Sequence, residues 1–415
     1  MRYSQSFINT LRADPKGETA ANARLLIRAG YVDKLMAGSY SFLPLGWRVY
    51  QKIENIVREE MNAVGGEEIL MPLLHPKEIW NETGRWNDPG VKEIMYQFKT
   101  SEGKEFGLSF THEEVFLDIV RKNSLSYKNL PIRLYHFSTK FRNEPRAKSG
   151  LLRGREFIMK DLYSVHATQE SLDEFYWQVK EAYLKAYQRM GLKEVKVVEA
   201  SGGVFTSGHT HEFQVLHPVG EDTTYYCIKC DWAQNKEIYQ GRVGDRCPQC
   251  SGQIESASSV EVGNIFRFGM VYSEKMNVTF KDAAGASKPL YLGSYGIGMS
   301  RCLGLLAEIF NDDKGLAWPE SVAPYQIHLV SLGDTKKEAE KIYKELSDSG
   351  LEILWDDRDE SAGVKLADAD LIGAPFRLVV SDKTAAKNNV EVKKRSSEKT
   401  ELIKSGQIVS YVSSK

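Results

Sequence analysis

Two apolar runs, "IRLYHFS" from residue 132 and "EFIMKDLYSV" from residue 156, flank a turn that is dense in charge. The stretch "KFRNEPRAKSGLLRGREFIMKDLY" (140–163) carries seven basic and three acidic side chains with two glycines and a proline. Runs this apolar, this close in sequence, pair as a hairpin inside a buried sheet. A merely solvated turn has no need of arginines at 142, 146, 153 and 155 around Glu144.

Other segments fill in the layers. "GWRVYQKIENIVREEMNAV" (46–64) puts Val49, Ile53, Ile56, Val57, Met61 and Val64 on one helical face, and Gly65-Gly66 stops it. "EEILMPLL" reads as a strand ending at Pro72, and "QFKTSEGKEFGLSFTHEE" as a hairpin around Ser101-Glu102-Gly103. Ser171 and Glu174 form a capping-box pattern. It opens a helix whose apolar stripe is Leu172, Phe175, Tyr176, Val179, Tyr183, Ala186 and Met190, with Gly191 as its stop. "LYLGSYGIGMSRCLGLLAEIF" reads as a strand, a glycine-rich turn and a helix. The expected fold class is therefore α+β, an antiparallel sheet flanked by helices.

Beyond "WPESVAP" the pattern changes to β-α-β-α-β, through "APYQIHLVSL", "LEILWDD" and "PFRLVVS". Such alternation makes a small α/β domain with a partly parallel sheet. With 415 residues the chain exceeds one ordinary core. The expected domains are 1–320 and 321–415. Bulk charge announces no polyanion binder, because 55 basic residues face 56 acidic ones. The first twenty residues lack the apolar core of a secretory signal, and no run is long enough to span a membrane, so a cytoplasmic protein is expected.

Four of the five cysteines fall in "CIKC" and "CPQC" inside an insertion at about 222–256. Their C-x2-C-x16-C-x2-C spacing suits a closed, structural zinc site at Cys227, Cys230, Cys247 and Cys250. Cys302 reads as a helix-core residue.

Arg142 and Glu144 stand at i and i+2, which on a strand places both on one face. A guanidinium offers forked donors to phosphate oxygens, and a carboxylate can accept from an amino group such as adenine's. Phe157, on the returning strand, can stack on a base, and Arg153 can reach outer phosphates. In "GSYGIGMSR" (293–301), glycines 293, 296 and 298 let another group approach the backbone before Arg301, though the spacing is not the dinucleotide fingerprint. A surface ion pair and a tight strand-to-helix turn are the competing readings, and these residues alone leave both open.

Taken together, "FRNE…RGREF" and "GSYGIGMSR" resemble motifs 2 and 3 of class II aminoacyl-tRNA synthetases, and "GWRVYQKIENIVREEM…EEILMP" resembles motif 1. The stretches "GSYSFLPLGWRV", "THEE", "REFIMKDLYSVH", "HEFQV", "EVGNIF" and "DDRDESAGVKLADADLIGAP" extend the likeness to the bacterial-type prolyl-tRNA synthetase family over nearly the whole chain. The resemblance implies an ATP- and Mg2+-dependent ligase that activates L-proline and charges tRNA(Pro), acting as a homodimer. It implies catalytic Arg142 and Arg301, ATP-binding Glu144, Arg153, Phe157 and Glu261, and proline-binding Thr111, Glu113, Arg142, His166, His211 and Ser294. Anticodon contacts would come from Asp357, Arg358, Glu360 and Lys365 of the last domain.

Asn264 stands where the family pattern has histidine, and Ser294 where some relatives have cysteine. The span between motifs 2 and 3 has no room for the editing domain of many bacterial members, so a separate trans-acting deacylase is expected. Competing functions are a related ligase for threonine, serine or glycine, and a synthetase-like protein that only binds or regulates. Retention of Arg142, Glu144, Arg153 and Arg301 argues for catalysis.

Overall fold

The computed structural model describes residues 1–414 except 124, 204 and 207. The chain forms two compact units, one of residues 37–39 and 54–302, the other of 1–36, 40–53 and 303–415. Among the described residues no helix is long and apolar enough to cross a membrane.

Helix α1 (Pro44–Ala63) buries Val49, Ile53, Ile56, Val57 and Met61, and Gly65 follows it with φ +77°. Only β1 (Glu67–Glu68) of the strand expected before Pro72 forms, because the chain then leaves the sheet toward a separate strand at Leu74–Pro76. The hairpin expected around Gly103 is present, as Gln97–Lys99 against Glu105–Leu108. Helix α2 (Glu113–Arg121) then precedes β2 (Ile132–Phe141) and β3 (Glu156–His166), which pair antiparallel along their whole length.

Helix α3 (Gln169–Met190) buries the seven residues of its expected stripe and ends at Gly191 in the left-handed conformation. Its N-cap is Thr168, whose side chain accepts from the Ser171 amide at 3.2 Å. Ser171 bonds His166 instead of capping, so the N-cap lies three residues before the expected one and no capping box forms there.

Strands β4 (Val195–Ser201), β5 (His209–Leu216), β6 (Asp222–Cys227), β7 (Ala233–Asn235), β8 (Ile254–Gly269) and β9 (Tyr291–Gly298) complete a nine-stranded sheet. Its order is β5-β4-β7-β6-β8-β9-β3-β2-β1, and β5 also pairs with β8, so that end closes on itself. The glycines of "GSYGIG" lie within β9 rather than in a turn, and helix α4 (Met299–Ile309) starts directly after Gly298.

Alternation along β3 divides the sheet into two faces. Lys160, Leu162, Ser164 and His166 point toward α3, where the Tyr183 hydroxyl meets Lys160 and Phe175 packs on His166. Phe157, Met159, Asp161 and Tyr163 take the other face. They stand opposite Lys140, Ser138, His136 and Leu134 of β2.

In the other unit, β10 (Ile327–Ser331), α5 (Lys336–Asp348), β11 (Ile353–Asp356), α6 (Ala362–Ile372) and β12 (Phe376–Val380) realise the expected alternation. β11-β10-β12 are parallel, and β13 (Asn389–Lys394) and β14 (Thr400–Lys404) extend the sheet antiparallel. All five residues of β10 are buried, as expected of a central parallel strand covered on both faces.

Candidate active site

A cavity of about 290 Å³ opens on the face of the sheet away from α3. Arg142, Glu144, Arg153, Phe157, Glu261 and Arg301 all line it, with Met159, Glu221, Asp222, Asn264 and Gly298. Each arrives from a different piece of the sheet: Arg142 just past β2, Phe157 on β3, Glu261 on β8, Arg301 at the start of α4. The two residues read as i and i+2 on a strand are not on one, since β2 ends at Phe141. The Glu144 amide donates to the Arg142 carbonyl at 2.7 Å, and the tight turn brings both side chains to the pocket by another route.

Arg142 is the electrostatic centre. Its guanidinium lies 5.3 Å from the Phe157 ring, and its Nε has no hydrogen-bond partner among the described residues. Burial first, and then the Arg301 guanidinium, pull its pKa below the ordinary arginine value. A half-buried cation held without a bonded counter-ion among the described residues, beside a second cation, is a ready-made anion site. Arg301 is better compensated, donating to the Glu261 carbonyl at 2.6 Å and facing its carboxylate at 3.2 Å. Arg153 bonds Glu144 at 2.8 Å and Glu221 at 2.5 Å. Gly296 is bare where a Cβ would come within 2.9 Å of Met159 and 3.2 Å of Asn264. The site face therefore has backbone, not side chain, at its floor.

Thr111, Glu113 and Ser294 are buried together, two residues along β9 from Gly296. The Thr111 hydroxyl lies 2.7 Å from both Glu113 oxygens, and the Ser294 hydroxyl donates to the same carboxylate at 3.3 Å. Arg85 closes the cluster at 3.3 Å from Glu113 and 3.0 Å from Glu114. Nothing in its local sequence marks Arg85, which is ringed by Trp80, Phe110, Phe205 and Tyr272.

The structure does not bring His166 or His211 to this site. His166 is buried between Ser164 and Ser171, each at 2.9 Å, and burial pushes its pKa down to about 4. His211 bonds the Tyr176 hydroxyl at 2.7 Å on the α3 face. Its neighbour Glu212 pairs with Asn264 and so takes the face that His211 was expected to occupy.

The family description "tRNA synthetase class II core domain (G, H, P, S and T)" matches residues 96–310, and "Anticodon binding domain" matches 322–415. The chain is 33% identical to a proline–tRNA ligase of Halothermothrix orenii, over 95% of this chain and 96% of that protein. It is 35% identical to the proline–tRNA ligases of Bacillus cytotoxicus and Bacillus mycoides, over 99% of each chain. The chain belongs to the proline–tRNA ligase family. The matches run over 546 and 565 positions, more than the 415 residues present here, so these family members carry a long stretch that this one lacks.

In this member of the family the candidate anticodon residues are mostly tied up within their own unit. Arg358 grips Asp356 at 2.6 Å and Asp368 at 2.9 Å and lies 3.6 Å over the Tyr3 ring. Asp357 accepts from the Ser4 amide and hydroxyl. Lys365 is buried, with Nζ on the Ser331 carbonyl at 2.8 Å, which leaves it no path to RNA. Glu360 alone of the four is exposed.

The four cysteines of the module converge. Cys227 and Cys250 sulfurs are 3.4 Å apart, Cys230 and Cys247 3.7 Å, and all four lie within 4.8 Å of one another. Backbone amides of Lys229 and Gln249 point at the Cys227 and Cys247 sulfurs at 3.3 and 3.4 Å.

Glu212 was not anticipated. Burial, with Glu261 nearby, pushes its carboxyl up to about 8. The unfolded chain releases this proton near pH 4.5, so the folded state binds the extra proton between those values and stability falls as pH rises through the window. For the metal-free protein, unfolding free energy is expected to drop by on the order of 3–5 kcal/mol from pH 5 to 8 through this group. Urea midpoints should show that slope flattening in Glu212→Gln.

Proposed function

We infer that this protein is an ATP-dependent proline–tRNA ligase. The observation that carries the reading is Arg142, a half-buried guanidinium whose Nε has no hydrogen-bond partner among the described residues, in a pocket shared with Phe157 and Arg301. Activation is attack of the proline carboxylate oxygen on the α-phosphorus of ATP, with pyrophosphate leaving, and a hydroxyl of the 3′-terminal ribose of tRNA(Pro) then attacks the carbonyl carbon of the resulting prolyl-adenylate, with AMP leaving. The substrate is itself the nucleophile, so the protein's part is alignment and charge neutralisation.

Arg142 holds the proline carboxylate and the α-phosphate together, while Arg301 and Arg153 take the far phosphates. Phe157 stacks on adenine and Glu144 accepts its amino group. Glu113, braced by Thr111 and Ser294, receives the proline ammonium. Glu261 is the oxygen donor that suits Mg2+, which when bound offsets phosphate charge. The Cys227, Cys230, Cys247 and Cys250 shell suits structural Zn2+. A cytoplasmic homodimer built through α1 fits the family pattern, with residues 322–415 reading the anticodon.

The span from Asp161 to Gly293 is consumed by α3, the β4–β5 hairpin and the cysteine module, which supports a ligase without cis-editing and a separate deacylase as its partner. A pocket for proline rejects alanine only through missing methylenes, worth about 1–3 kcal/mol. Pyrophosphate exchange with proline, alanine, threonine and cysteine side by side tests the reading. Strong exchange with proline and roughly 10–200-fold weaker exchange with alanine is expected. Exchange with threonine alone, or with none of the four, overturns it. Rapid deacylation of Ala-tRNA(Pro) by the isolated protein overturns the missing-editing part.

A further inference from the structure

Beneath the pocket lies a cluster that the activation chemistry leaves unused. Lys140 on β2 is completely buried, and its ammonium contacts Asp161 at 2.5 Å, Ser138 Oγ at 2.7 Å, His112 Nδ1 at 2.7 Å and His136 Nε2 at 3.4 Å. The ligand atoms of His112, His136 and Asp161 lie within 4.8 Å of one another, as a divalent metal site requires. The ammonium stands within reach of all three, so the place a metal ion would take is already filled by a cation that the chain supplies.

That cation acts on a particular segment. His112 lies between Thr111 and Glu113. Because its Nδ1 accepts from Lys140, the ring proton resides on Nε2 and is donated to the Pro72 carbonyl at 3.0 Å. The His112 amide donates to the Tyr163 hydroxyl at 3.0 Å. The turn is thus held at ring and backbone together. Burial first, then the Lys140 charge, keeps the His112 pKa well below the ordinary histidine value. Burial opposes ionisation of Asp161, but Lys140 and His136 outweigh it and hold that carboxyl far below the usual range. Lys140 also stands two residues before Arg142. One side chain therefore ties the strand that delivers Arg142 to the turn that delivers Glu113.

We propose that Lys140 is a positioning residue, a fixed internal cation that sets the spacing between the carboxylate-binding Arg142 and the ammonium-binding Glu113. This rests on the proline-activating reading above. A structural lysine would affect all substrates alike, whereas a spacer between these two groups affects the amino acid selectively. Moreover, removing the ammonium should uncover the metal geometry beneath it.

The test compares wild type with Lys140→Ala, both with the cysteine shell saturated with Zn2+. Pyrophosphate exchange in the variant should show a KM for proline raised tenfold or more and a clearly smaller rise in the KM for ATP, because Arg142 also meets the α-phosphate while Phe157, Arg153 and Arg301 hold the rest of ATP. The variant should bind one further equivalent of Co2+, with visible d–d absorption lacking thiolate charge transfer, and added Zn2+ should lower its proline KM again. Equal rises in both KM values, or an unchanged proline KM in folded variant, overturns the proposal. If the variant does not fold, nitrogen-15 shifts of His112 in wild type decide: the neutral Nε2–H tautomer from pH 5 to 8 supports it, and the Nδ1–H tautomer or imidazolium overturns it. Absence of proline exchange in wild type would instead sink the functional reading, and the tautomer measurement would still judge the role of Lys140.

Discussion

Arg142→Ala is expected to lower proline-dependent pyrophosphate exchange by on the order of 10³-fold while leaving thermal stability unchanged or raised. The two halves have one cause. In the free protein the guanidinium is half-buried, repelled by Arg301, and short of a partner among the described residues at its buried Nε, so holding it there costs folding free energy. With substrates bound, the same charge faces a carboxylate and a phosphate in a dry pocket, where each charge-assisted bond is strong. Function and stability therefore pull in opposite directions at this residue. Arg142→Lys keeps the charge but loses the two-pronged donor geometry, and should recover only part of the rate. Melting temperature and exchange rate measured on the same preparations check this. Exchange within roughly tenfold of wild type would mean that the charge is not spent on the transition state. A large fall in melting temperature would mean that Arg142 is a packing residue.

Much of this site was legible because its chemistry needs unusual residues in unusual places. Arginines flanking apolar strands predicted a pocket, and Arg142, Arg153, Phe157, Glu261 and Arg301 line one cavity. What was not legible follows from geometry that sequence does not carry. Period-2 alternation says that His211 and Glu212 face opposite ways, but not which faces the site. Lys140 and Lys160 belong to the same charge-rich stretch as Arg153, yet both are fully buried, because partners distant in sequence, His112 and Tyr183, receive them. Arg358 and Asp357 look like solvated loop charges until residues 3 and 4 are seen to meet them. Glycines 293, 296 and 298 look like a turn, and only the strands on either side of β9 reveal a floor.

Zinc content at one equivalent per chain is the second large expectation, with loss of the ion unfolding the cysteine module. Tetrahedral Zn–S bonds of about 2.3 Å place sulfurs roughly 3.7 Å apart, close to the 3.4 and 3.7 Å seen across the two pairs. Apart from the pairing of its strands with β8 and β4, the module has little to hold it: its buried apolar cluster is Cys227, Cys247 and Ile254, with Tyr225, Trp232 and Tyr239 partly covered. A core that small cannot offset the ordering of the thirty-five residues from 222 to 256, whereas structural zinc contributes about 10–16 kcal/mol in comparable shells. The damage should be graded along β8. Its first half, Ile254–Ser259, pairs with β6 of the module, but Gly263–Gly269 is pinned by β9, and β5 holds Ser259–Ile265. Chelation, or Cys230→Ser, should therefore erase amide protection from 222 to 256 and leave β3 and β9 protected. The KM for ATP should rise several-fold, since Glu221 and Asp222 sit at the module's root and line the pocket. The proline KM should hold, because Thr111, Glu113 and Ser294 are braced by other strands. Metal-free protein with full protection over 222–256 would show that the four thiols fold unaided, and that the convergence of their sulfurs has another cause.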